Sequence, residues 1–190
     1  MKKSTKIIIA ILIVAIVAAV VVVLALTNSK SKTNLQPVNS AEDLATLIDK
    51  IYEGQEMEMP AVQTQVLDIT DAFAVQSATG LESAENIEYV AISEPLMSAQ
   101  AYSLVLVKVK DGVDANQVAK TMNENIDQRK WICVSAEKVY TTSSGDVICL
   151  VMSNEDLAKP IYEKFKELAG NVGGEFQKSE EIIELPEDMY

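Results

Sequence analysis

Hydrophobic residues follow three different rhythms along this chain. Between Ile7 and Leu26 the stretch "IIIAILIVAIVAAVVVVLAL" contains no polar side chain. At a rise of about 1.5 Å per residue, a helix of that length is roughly 30 Å long, the thickness of a hydrocarbon core. Fifteen of its residues are Ile, Leu or Val, each contributing about −0.3 to −0.6 kcal/mol to insertion near the helix centre. The pattern predicts a single N-terminal transmembrane helix. "TNSKSKTNLQPVN" over 27–39 predicts a flexible tether with a reach of roughly 20 Å.

Beyond the tether the rhythm becomes helical. Ser40 and Asp43 form a capping box, and Leu44, Leu47, Ile48, Ile51 and Tyr52 recur at helical spacing before Gly54. Thr70 or Asp71 opens a shorter helix that ends near Gly80. The period then shortens. "NIEYVAI" (86–92) and "AYSLVLVKVK" (101–110) are β-rich and predict an antiparallel pair, with Leu104–Val107 apolar on both faces as in a central strand.

After a turn at Asp111-Gly112, Asp114 and Gln117 cap a helix whose Ala115, Val118, Ala119, Met122 and Ile126 form one stripe. "KVYTT" and "DVICLVMS" flank "SSG" as a hairpin. With Ser144-Gly145 as its turn, Tyr140 stands opposite Cys149. Asn154 opens a last helix through about Leu168, in which Pro160 marks either the start or a kink. "GNVGG" follows as a helix stop, and an acidic tail with Ile182, Ile183 and Leu185 closes the chain. This order of elements predicts an α+β domain whose mostly antiparallel sheet has about four strands, packed by helices.

Charge separates the two parts of the chain. Lys2, Lys3, Lys6, Lys30 and Lys32 are the only charged residues up to position 32, so the net −12 of the whole leaves −17 on the remainder. No cluster of Lys or Arg exists there to neutralise phosphates, which argues against nucleic acid as a partner. The apolar run is longer than the roughly 7–15 residues of a secretory signal, and "ALT" at 25–27 is a poor cleavage site. An uncleaved signal anchor is favoured, with a cleaved signal as the alternative. Three lysines before the span and two after it favour a single-pass cell-membrane protein with a cytoplasmic N-terminus. The expected divisions are a basic cytoplasmic end (1–6), the anchor (7–26), the tether (27–39), the globular domain (40–169) and the tail (170–190). The lipid bilayer is thus one partner, through residues 7–26.

Candidate chemistry is sparse. There is no histidine, which removes imidazole-based acid–base catalysis and the Ser-His-Asp and Cys-His nucleophiles. Cys133 and Cys149 are the only cysteines. An extracytoplasmic location invites a disulfide between them, but the hairpin register places Cys133 seven residues out of line, so two buried reduced thiols are favoured over a bridge. Ser143 and Ser144 beside Asp146, with Lys138 as the candidate base, read first as turn residues. The carboxylate pairs Glu56/Glu58, Glu180/Glu181 and Glu187/Asp188 lie in polar segments that do not raise a carboxylate pKa. No residue is assigned to catalysis, to a metal or to a cofactor. The sequence therefore points to a non-enzymatic binding or scaffold module whose partner is an extracytoplasmic protein or wall component. A hydrolase of cell-wall or peptide substrates, acting through carboxylates or a Ser-Lys pair, is the alternative.

"SAEDLATLIDKIYEG", "AYSLVLVKVKDGVDANQVAKTMNENIDQRKW" and "KVYTTSSGDVICLVMS" together resemble an uncharacterised extracytoplasmic domain family of Gram-positive bacteria (Firmicutes), whose members are often small lipoproteins. The resemblance spans residues 40–153 and implies the fold and an extracytoplasmic place, with no functional residue to carry over. Lipoprotein members have an anchoring cysteine where this chain has Thr27, Asn28 and Ser29, so tethering falls to the helix itself. Protease treatment of intact cells is accordingly expected to digest the C-terminal domain. A domain protected until lysis overturns the orientation.

Overall fold

Strand β3 (Ser103–Val109) is buried along its whole length. Successive side chains of a strand point to opposite faces, so Leu104 and Leu106 enter one core while Val105, Val107 and Val109 enter a second. Fully burying each leucine contributes about 1.5–3 kcal/mol. Neither face can be left to water, and a helix layer covers each. The structure, a computed structural model, describes residues 33–97 and 99–180. The expected transmembrane helix from Ile7 to Leu26, the first part of the tether and residues 181–190 of the tail lie outside the described residues. Among the described residues no helix is long and apolar enough to cross a membrane.

On one face lie α1 (Ala41–Tyr52) and α4 (Glu155–Ala169), which contribute Leu44, Ile48, Ile51, Ile161 and Phe165 to the first core. On the other lie α2 (Ala72–Thr79) and α3 (Ala115–Asn125), with Val75, Val118, Ala119 and Met122 in the second. The helices start where their caps dictate. Ser40 Oγ accepts from Asp43 N at 3.3 Å while the Asp43 carboxylate accepts from Ser40 N at 3.0 Å, the reciprocal pairing of a capping box. Asp71 caps α2, and Asp114 caps α3 by accepting from Asn116 N and Gln117 N. Asn154 caps α4, so Pro160 is not its start but lies inside it.

The α+β class and the mostly antiparallel sheet are as expected, but among the described residues the sheet has six strands instead of four. β1 (Val62–Val66), β2 (Ile87–Pro95), β3, β4 (Lys138–Ser144), β5 (Val147–Ser153) and β6 (Phe176–Ser179) run in the order β1-β2-β3-β5-β4-β6, with every neighbour antiparallel. The two additional strands are the edges. "VQTQV" and "FQKS" are short and only half-buried, so neither carries the continuous apolar signal of a central strand. β6 moves the end of the folded domain from 169 to 180. The glycines before it allow close approach to β4: Gly173 N donates to Ser143 O at 2.7 Å, and a side chain at Gly173 would stand 2.8 Å from Ser143 Oγ.

Two further expectations are corrected. The last part of the tether is folded onto the domain: Asn34 N donates to Ala169 O at 2.9 Å, Ser144 Oγ donates to Thr33 Oγ1 at 2.8 Å, and Leu35 and Val38 pack on the first core. The hairpin turn is Gly145-Asp146, with Ser144 opposite Val147 and Cys149 opposite Thr142 instead of Tyr140. Gly145, at φ 62°, occupies the first turn position, a conformation open to glycine. The slip is by two residues, so each side chain keeps its face.

Gly80 and Gly54 separate two costs. Both have positive φ, 75° and 74°, but only at Gly80 would a Cβ meet backbone, 2.5 Å from Ile126 N. Gly54→Ala is expected to cost about 1–2 kcal/mol through the left-handed conformation alone. Gly80→Ala should cost at least about 1–3 kcal/mol more by prising α2 from the end of α3. Denaturant titration of the full chain in detergent measures both, and equal losses would refute the contact.

Candidate functional site

Antiparallel pairing brings the starts of β1, β3 and β4 and the end of β5 to the same edge of the molecule: Val62 faces Pro95, Ser103 faces Met152 and Lys138 faces Ser153. The segments that lead into those strand ends enclose a cleft of about 540 Å³. Its apolar wall is Met59, Pro60 and Leu157, with the buried Tyr102 behind them. Gln100, Ser135, Ser153 and Asn154 supply amides and hydroxyls, and the exposed Glu58 and Glu137 stand on it as carboxylates. Thr33 lies at the opposite end of the strands, against Ser144 and the Gly145 turn.

The cleft is held by bonds beneath it. Tyr102, fully buried, has its hydroxyl 2.9 Å from that of Tyr52 on α1. Burial raises both phenols above their ordinary value of 10.0, so both are neutral hydrogen-bonding groups. Ser153 Oγ donates to Ala101 O at 2.7 Å and fixes the segment before β3. Ser135 Oγ and Arg129 Nε donate to the two oxygens of Glu180 at 2.6 and 2.9 Å. The Ser135 bond, ahead of Arg129, holds the Glu180 carboxyl below its ordinary 4.5.

Ion pairing is unequal around the cleft. Lys138 Nζ donates to Ser179 Oγ at 2.8 Å, and Glu155 carboxylate oxygens lie 3.9 Å from Lys138 and 3.8 Å from Lys159. Glu58 and Glu137 have no ion pair or side-chain hydrogen bond among the described residues.

The Ser-Lys arrangement expected of a hydrolase is not formed where the sequence placed it. Ser143 and Ser144 are buried at the end of β4, and Ser144 Oγ is engaged by Thr33 and Asn171 O. Lys138 is at the other end of that strand. The Asp146 carboxylate is 2.8 Å from Lys108 Nζ, which also lies 3.2 Å from Glu88. Burial opposes the Lys108 charge, but the bonds from Asp146 and Glu88 outweigh it and raise its pKa.

A different serine and lysine do meet: Lys130 Nζ donates to Ser103 Oγ at 3.3 Å and to Ser77 O at 3.4 Å. It lies 2.6 Å from Glu94 Oε1. That contact is an ion pair in distance but not in direction, since the same oxygen has no aligned donor. Desolvation lowers the Lys130 pKa, and Glu94 opposes the shift. An activating base must accept the serine proton, whereas this ammonium donates to Ser103, and Ser103 has 0% exposure. The group braces the second core beneath α2.

Of the carboxylate pairs, Glu58 reaches the cleft, Glu180 is held by Ser135 and Arg129, and Glu181, Glu187 and Asp188 lie outside the described residues. Among the described residues no three His, Cys, Asp or Glu side chains converge to hold a metal. Sequence reasoning did not find Glu137, Gln100 or Ser135, because only the strand pairing brings their segments together. Comparisons with protein-family models, curated proteins and solved structures give no match for this chain.

Cys133 and Cys149 are free thiols. Cys149 is fully buried on β5, where desolvation raises its pKa far above 9.0. Cys133 is exposed in the loop after α3, so the expected pair of buried thiols is corrected for one member: the loop leaves it in water, with φ 66°. A neutral maleimide is therefore expected to add once to the native chain and twice after unfolding, read by intact mass. No adduct before reduction, or two adducts in the native state, would contradict this placement.

Proposed function

We propose that this chain is an extracytoplasmic binding module, anchored in the membrane by residues 7–26 and presenting its cleft to a wall component or a partner protein. The observation that carries the reading is the position of that cleft, at the strand ends remote from Thr33. A strand of seven residues spans about 20 Å, so a ligand at the cleft is held away from the point where the folded domain begins. Concave sites with an apolar wall and a few convergent polar groups are where small ligands and chain segments bind. Hydrolysis by a Ser-Lys pair is the less supported alternative, because Ser103 would have to open to solvent first.

A photo-crosslinking residue at Gln100 or Leu157 of the full chain, in membranes of the source cell, is expected to capture a discrete adduct. The same residue at Asp111, on the turn at the opposite end of the sheet, should capture none. Failure at both cleft positions, or equal capture at Asp111, overturns the cleft as the binding site.

A further inference from the structure

The lining of the cleft contains no Lys or Arg. The surrounding cations Lys138 and Lys159 are held by Glu155, and Arg129 by Glu180. Glu58 and Glu137 have no such partner among the described residues. One feature of the wall favours anions, the N-terminus of α4. That end is already occupied: Asn154 caps Leu157 N, and Glu155 and Asp156 fill the first turn. The outer part of the chain adds a net −17, once the five lysines of residues 1–32 are separated from the −12 of the whole. The field in the cleft is therefore negative, over a wall of Leu157, Met59 and Pro60 suited to an aliphatic stem.

We infer that the cleft recognises a peptide through a lysine-type side chain, the methylenes lying on Met59 and Leu157 and the ammonium between Glu58 and Glu137. This rests on the cleft being the binding site, as proposed above. Ser135, Gln100 and Asn154 are placed to bond the peptide amides. Anionic ligands are excluded, because nothing in the cleft would neutralise them. Both glutamates are exposed, so they act mainly on association rate and salt dependence, as rim charges do.

The probes are three short blocked peptides, Ala-Lys-Ala, its counterpart with the lysine Nε acetylated, and Ala-Glu-Ala, each titrated against the full chain in zwitterionic micelles. The lysine peptide is expected to bind roughly fivefold or more tightly than the acetylated one and to perturb cleft resonances, and the glutamate peptide should not bind. That advantage should vanish in the Glu58→Gln/Glu137→Gln double variant and shrink as salt rises from about 0.05 to about 0.5 M. Equal binding of lysine and acetyl-lysine peptides, or an advantage that survives in the double variant, overturns the charge assignment while leaving the cleft as a binding site. No binding by any of the three overturns the peptide assignment, and the cross-linking result still decides the cleft itself.

Discussion

Burial of β3 on both faces is the constraint from which the rest of the architecture follows. A strand whose Leu104 and Leu106 point one way and whose Val105 and Val107 point the other requires a cover on each side. The four helices among the described residues divide two and two because there are two faces to close. The same demand explains why β2 and β5 flank β3 while β1 and β6, which carry Gln and Lys, stand at the edges. The edge positions leave part of each strand in water, and only residues that tolerate water can be placed there.

Two lysine ammoniums within this framework are held away from water. Lys108, near the end of β3, is nearly buried and lies between Glu88 and Asp146. Lys130 is enclosed by Glu94, Ser103 and Ser77 O. Each buried ammonium has carboxylate or carbonyl oxygens around it, which is the condition for keeping a charge away from water. The cleft differs from these buried sites, since Glu58 and Glu137 are exposed and have no ion pair among the described residues.

What could be read from the sequence was what depends on near neighbours. Ser40, Asp71, Asp114 and Asn154 all bond a backbone N–H within three residues, so the helix starts were visible in the order of residues alone. The buried strands were visible because an unbroken apolar run has few other uses. Edge strands were not, since half-buried Gln and Thr look the same in a strand and in a loop. The site was the least legible part: Glu58, Gln100, Glu137 and Asn154 come from four separate segments, and their meeting depends on strand registers set by distant pairs. The lysine-serine contact is of the same kind, linking residues 27 positions apart.

The bonds from Thr33 to Ser144 and from Asn34 to Ala169 have a mechanical consequence. A pull arriving through residue 33 is divided between the hairpin turn beside Gly145 and the end of α4, two elements that reach into the first core from different directions. Tension is thus taken up where the strands turn, at the end away from Tyr102 and Leu157. The cleft end of the domain can hold its shape while the other end bears the load.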